Sequence, residues 1–291
     1  MNRIQVDVEK PQAPLRNQPQ GYKLPKQLPD AKENKVHPTI SGDENAGIFF
    51  VGTATTIIEW EGIRLPPVDL ILLSHYHADH FDQEVEEVLR RDLPIITTPH
   101  AKAHLGGKGE GEAFTNVHAL DFFESLVVVI KKSQLFSTGV PGMKVTGMPG
   151  KHVPDGVLGT MNDLLQAVPP TNGWMVELGR TRRGSGTEDW ECGYRYKGQN
   201  IDLMLVHLGG TTIPSPSLPL LMVTMDAQQG VELVRLINPD LTIPIHYDDY
   251  DVFLSPLSDF KKAMDEAGLG DKVVYLDRKD QYRFRVKGSS G

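Results

Sequence analysis

Four side chains of metal-ligand type fall within six residues, as His75, His77, Asp79 and His80 of the run Ser74-His75-Tyr76-His77-Ala78-Asp79-His80. Neutral imidazole is the commonest metal-binding side chain, and zinc accepts nitrogen and carboxylate oxygen in four- or five-coordinate geometry. Side chains two apart in extended backbone point the same way, so His75 and His77 can reach one ion together. Asp79 and His80 follow once the chain has turned, and they face a neighbouring position. The competing reading, a row of solvated surface histidines, fits poorly with a cluster set between a buried strand and a helix.

Those flanking elements are written locally. The apolar run Asp69-Leu70-Ile71-Leu72-Leu73 is short, lies just beyond Pro66 and Pro67, and predicts a buried strand. After the cluster, Asp82 stands as N-cap before Val85, Val88 and Leu89 at helical spacing, and Glu86 and Arg90 are placed for an i,i+4 ion pair. Leu93 to Thr98 then predicts the next parallel strand of a βαβ unit. A turn at the C-terminal end of such a strand is where open α/β architectures hold their ligands.

His-x-His-x-Asp-His after a hydrophobic strand resembles the signature of the metallo-β-lactamase superfamily. The text from Ile71 to Asp82 is most similar to the branch of ascorbate-phosphate lactonase and N-acyl-phosphatidylethanolamine phospholipase D, and the likeness runs from about Ala46 to Leu276. It implies an α/β (α+β layered) fold, the four-layer αβ/βα sandwich with a metal site at one edge of its sheets. It also implies further ligands. His152, set by Pro149-Gly150 past a predicted strand over 143–148, takes the position of the third ligand of the first metal. His246, in Pro244-Ile245-His246-Tyr247, takes that of the last ligand of the second. One zinc is then held by His75, His77 and His152, and a second by Asp79, His80 and His246. Manganese or iron are alternative occupants. Asp248, Asp249 and His207 are candidates for bracing those ligands from behind, His207 reading more simply as a buried, hydrogen-bonded histidine at a strand end.

The sequence departs from the family in two places, so elements are expected to be missing near 65–68 and 179–200. Only Pro66 and Pro67 separate Leu65 from Val68, where relatives carry a longer excursion with a Thr-Asp-Pro-like turn. Residues 179–199 are polar and show no strand or helix period. Relatives there supply a Gly-Asp-Thr whose Asp bridges the two metals, and this chain has no Gly-Asp-Thr. Asp189 and Asp226 are the substitutes to consider, although Asp226 reads first as the N-cap of a helix running to Ile237. The resemblance implies a zinc-dependent hydrolase in which a metal-bound hydroxide, with Asp79 as catalytic partner, attacks an ester, lactone or phosphodiester. The alternative is a metal-binding, catalytically weak shortened form lacking the bridging Asp segment.

The remainder of the chain agrees with an enzyme acting on a small molecule. Its 291 residues suffice for one domain with a sizeable core, and 30 basic against 38 acidic residues give a net charge of −8, which disfavours a nucleic-acid groove. The single Cys192 excludes an intrachain disulfide framework, and no apolar run approaches a membrane span. A cytoplasmic protein is expected. Residues 1–45 read as a polar, proline-rich arm, disordered or lying over the surface, 46–285 as the metallo-β-lactamase-like domain, and 286–291 as a flexible tail. His100 and His104 are expected at a helix surface, the glycine-rich 106–111 as a loop, and residues 273–276 as the last strand.

Overall fold

A computed structural model describes residues 2–7, 13–17, 28–60, 68–131, 139–153, 168–181, 190–192, 201–215 and 218–286. In chain order the first elements are β1 (Asn2–Asp7), β2 (Asn34–Lys35), β3 (Ala46–Gly52), β4 (Thr55–Trp60), β5 (Ile71–Leu72), α1 (Gln83–Val88), β6 (Ile95–Thr97) and α2 (Pro99–Gly106). Next come β7 (Val117–Ala119), β8 (Ser125–Lys131), β9 (Val140–Pro149), β10 (Asn172–Thr181), β11 (Trp190–Cys192) and β12 (Leu203–His207). The last are β13 (Thr212–Ser215), β14 (Leu218–Met222), α3 (Ala227–Ile237), β15 (Leu241–Ile245), α4 (Leu257–Glu266) and β16 (Gln281–Phe284).

Four hydrophobic clusters define the layering. Helix α2 and the residues flanking α1 cover the parallel sheet β5-β6-β7 through Phe81, Leu89, Leu93, Ile95, Ala101, Leu105 and Phe114. The other face of that sheet packs, through Ile96 and Leu72, on Ile4, Val6, Val128 and Val145 of the sheet β1-β8-β9-β10-β11. In the second half, α3 and α4 cover the parallel pair β12-β15 through Val206, Leu208, Val231, Val234, Phe260 and Met264. Ile243 and Ile245 of β15 then meet Phe50 and Tyr282 of the sheet β2-β16-β3-β4. Helix, sheet, sheet, helix is the solution for elements with one apolar face each.

The helices start where their capping residues stand. Asp82 accepts from the Val85 amide at 3.0 Å, and Thr98 from Ala101 at 3.1 Å with Pro99 in the first turn. Asp226 and Gln229 close a reciprocal capping box on α3. Replacing Asp226 with alanine is expected to cost about 1 kcal/mol, a fall of roughly 2–4 °C in the melting temperature. A thermal melt followed by circular dichroism checks it.

Several expectations are corrected. Val85 and Val88 are half-exposed, and the residue that α1 buries is Glu86. Because α1 ends at Val88 and Leu89 is extended, Arg90 is not one turn along from Glu86. Arg90 pairs with Asp92 at 3.1 Å, while Glu86 accepts from the Tyr76 hydroxyl at 2.8 Å and pairs with Lys108. The glycine-rich loop is thus tied down through Lys108. The junction at 65–68 need not be a crossover either, because β4 and β5 belong to different sheets; residues 61–67 lie outside the described residues. Within 179–200, Gly179–Thr181 extend β10 and Trp190–Cys192 pair with them as β11, the rest lying outside the described residues. The arm over 1–45 contributes β1, parallel to β8, and β2, parallel to β16. The last strand is β16 rather than 273–276, of which Val273 makes a single bridge to Thr242. Among the described residues no helix is long and apolar enough to cross a membrane.

Candidate metal centre

The predicted ligands converge at the C-terminal ends of strands. His75 lies three residues past the end of β5, His152 follows β9, and His246 follows β15. The His77 carbonyl accepts from the amides of His80 (3.0 Å) and Phe81 (2.8 Å), which closes a tight turn. That turn swings Asp79 and His80 back towards His75. Ligand atoms of His75, Asp79 and His80 all lie within 4.8 Å of one another. The His75 ring is 4.1 Å from His80, 4.6 Å from His152 and 6.1 Å from His77 between centroids, and His80 is 5.1 Å from His246.

Four of these imidazoles share one orientation. Nδ1 of His75 meets the hydroxyls of Ser74 (3.0 Å) and Thr171 (3.2 Å), and Nδ1 of His80 meets Ser74 at 3.3 Å. His152 Nδ1 is 3.2 Å from the Pro169 carbonyl, and His246 Nδ1 is 2.9 Å from the Leu208 carbonyl. A carbonyl only accepts, so Nδ1 of His152 and His246 carries a proton, and in the neutral ring Nε2 then holds the lone pair. Nδ1 is anchored outward in all four, which leaves Nε2 for a ligand. This is the arrangement that orients metal-binding histidines.

The fully buried His246 tests the fit. Its Nε2 has no hydrogen-bond partner and stands 3.5 Å from Asp79 Oδ2. A lone pair aimed at a carboxylate is repulsive, and a buried polar atom without a partner is costly; a cation between the two removes both penalties. Burial holds His75 down to about 2, His207 to about 3 and His80 to about 4, with neighbouring imidazoles adding to the effect in each. Burial lowers His152 as well. Burial raises Asp79, but the His77 hydrogen bond and the neighbouring His80 and His77 rings outweigh it and hold the carboxyl well below the usual range. His77, hydrogen-bonded through Nδ1 to Asp79, is raised. Near neutral pH His75, His80, His152 and His207 are therefore uncharged imidazoles beside the Asp79 carboxylate, the donor types zinc takes.

The residues behind the ligands are partly those expected. Asp249 accepts from the Thr53 hydroxyl and pairs with Arg278, and the Thr53 carbonyl accepts the His246 amide at 2.7 Å. That brace matters because His246 has φ of 62°, a left-handed conformation that costs a non-glycine residue about 1 kcal/mol. Asp248 Oδ1 is buried with no partner. The His207 ring stands beside His80 and His246. Asp226 is engaged as the α3 N-cap and Asp189 lies outside the described residues, so Asp79 is the carboxylate found among the imidazoles here. Sequence reasoning missed Ser74, Thr171 and Thr53, whose types carry no signal until the fold brings them to a ring or a backbone amide. His100 and His104 contact each other on α2 at 3.2 Å, and His104 stacks on Tyr76.

A family model described as a beta-lactamase superfamily domain matches residues 45–247, a span that contains every candidate ligand. A UPF0173 metal-dependent hydrolase of Hyperthermus butylicus is 31% identical over 222 residues, covering 75% of this chain and 82% of its own. Another, from Methanopyrus kandleri, is 24% identical over 222 residues, covering 74% and 81%. Among solved structures, the isothiocyanate hydrolase from Delia radicum gut bacteria superposes with a TM-score of 0.55 at 14% identity, over 82% of this chain and 99% of that one. A metallo hydrolase from Ignicoccus hospitalis gives 0.51 at 16% identity, over 83% and 99%. The two structures share the fold.

Proposed function

The chain belongs to the metallo-β-lactamase superfamily and its UPF0173 metal-dependent hydrolases, and from that premise we propose that it is a zinc hydrolase of a small ester, lactone or phosphodiester. One observation carries the reading: the common anchoring of Nδ1, with the partnerless His246 Nε2 and Asp79 Oδ2 facing each other across the cluster. His75, His77, His152, Asp79, His80 and His246 are the proposed ligands, for one zinc or two. Bound zinc would lower the pKa of a water and offset negative charge developing on the substrate oxygen. The chain's own part is positional. Ser74 and Thr171 fix the plane of His75, the Leu208 carbonyl fixes that of His246, and the Asp79 carboxylate, ionised near neutral pH, supplies the negative charge beside the attacking water. The choice among the three bond types follows the likeness to the lactonase and phospholipase D branch.

The test is metal content by elemental mass spectrometry with hydrolysis assays on an ester, a lactone and a phosphodiester, each with zinc, manganese or iron supplied. Metal-dependent turnover of one substrate class is expected. Asp79→Asn should lower kcat roughly 10²–10³-fold in a folded chain. A folded chain that binds no metal would sink the proposal. A chain that binds metal without turnover would favour the weak, shortened form, which the lack of a second carboxylate among the described ligands supports. Asp249→Ala, which releases Thr53, should weaken metal affinity 10–100-fold in a metal titration.

A further inference from the structure

We infer that His207 is itself a metal ligand, completing with His80, His246 and Asp79 a donor set of three imidazoles and one carboxylate. The inference rests on the metal-dependent reading above and adds to it a residue outside the proposed ligand set. The three rings form a near-equilateral triangle, with centroids 5.6 Å apart for His80–His207, 5.5 Å for His207–His246 and 5.1 Å for His80–His246. An ion about 2.05 Å from each ring nitrogen, with the centroid roughly 1.1 Å farther out, separates tetrahedral imidazole centroids by roughly 5.2 Å. Every side of the triangle is therefore within about half an ångström of what one ion requires. Asp79 Oδ2 supplies the fourth corner, 3.5 Å from His246 Nε2 and 3.8 Å from His80 Nε2, against roughly 3.4 Å between donors on a tetrahedral ion.

The grouping of His75 with Asp79 and His80, whose ligand atoms lie within 4.8 Å of one another, shares two of its members with this set. The position of His207 follows from the sheet. It is the last residue of β12, in parallel register with Ile245 of β15, so neighbouring strands deliver His207 and His246 to the same edge. Which nitrogen a ring presents is set by χ2, a broad torsion that moves the centroid little, so the triangle is the feature that persists when an ion binds. Among the described residues, the rings beside His207 are His80 and His246, two of the proposed ligands.

His207→Phe separates ligation from packing, because phenylalanine keeps the ring and removes both nitrogens. Zinc per chain, zinc affinity and the visible spectrum of the cobalt(II)-loaded protein are compared with the parent, alongside melting curves. The expected result is a folded variant with one equivalent fewer, or at least tenfold weaker binding, and a changed cobalt spectrum. Unchanged stoichiometry, affinity and spectrum would overturn the role of His207 while leaving the hydrolase reading intact. A parent protein that binds no metal would overturn both. Should the variant fail to fold, X-ray absorption of the zinc-loaded parent counts the imidazoles per ion directly. Three imidazoles with one oxygen at a site still bound by His75→Ala supports the assignment, and two or fewer overturns it.

Discussion

Replacing His80 with alanine is expected to lower kcat/KM by roughly a thousandfold or more, about 4 kcal/mol of transition-state stabilisation, with bound metal lost in parallel. His80 is the hinge of the cluster. Its ring lies 4.1 Å from His75 on one side and 5.1 Å from His246 on the other, and Ser74 fixes its Nδ1. It belongs to the second proposed site and to the grouping of His75, Asp79 and His80 whose ligand atoms lie within 4.8 Å of one another. The fold should survive, because burial already penalises the charged ring and the position sits at the edge of the hydrophobic clusters rather than within one. His100→Ala is the control: that residue lies on α2 and contacts His104, so activity should stay within about twofold of the parent. Elemental analysis and a hydrolysis assay on both variants check the pair. A folded His80→Ala chain with full metal content and full activity would remove the cluster from the chemistry.

The centre was legible where its signals are local. The strand, the turn and the helix from Ile71 to Val88 lie within 18 residues, and both their caps and their ligands are written in adjacent positions. His152 and His246 follow strands β9 and β15 and are marked by proline or glycine. The misses depend on distant partners. The short β16 contains Gln281 and Arg283 and becomes a strand through antiparallel pairing with β3, more than 200 residues earlier in the chain. β1 does carry alternation, with Ile4 and Val6 buried, but it stands before a proline-rich stretch and pairs with β8 far downstream. Glu86 read as the i,i+4 partner of Arg90, which stands four positions on in the sequence. Tyr76 and Lys108 converge on it in three dimensions, and tertiary contacts then override the helical pairing. Thr171 meets His75 across 96 residues, which no spacing rule anticipates.

Acid should destabilise the metal-free protein steeply, and the sign follows from the imidazoles. His75, His80 and His207 are held at about 2, 4 and 3 in the folded chain, whereas the unfolded chain binds those protons near 6.5. Above about 6.5 neither state is protonated at these groups and they leave stability unchanged. Below it the unfolded state takes up protons that the native state refuses, so unfolding becomes easier as pH falls. Each fully displaced imidazole contributes about 1.4 kcal/mol per pH unit, hence about 4 kcal/mol per unit for the three between roughly pH 6 and 4. His152, also lowered, adds in the same direction. His77, raised by Asp79, works the other way, but its contribution saturates once both states are protonated below about 6.5. Asp79, held low, keeps its charge in this window and adds a further loss only below the usual carboxylate range. Bound metal should move the whole profile upward, by about 4 kcal/mol at a thousandfold excess over its dissociation constant, and the gain should vanish where protons compete for the same nitrogens. Denaturant titrations at pH 7.5, 6 and 5, with and without a chelator, measure both effects. A metal-free chain equally stable at pH 7.5 and 5 would show that these imidazoles are solvated in the folded protein, and the geometry of the centre would then have to be redrawn.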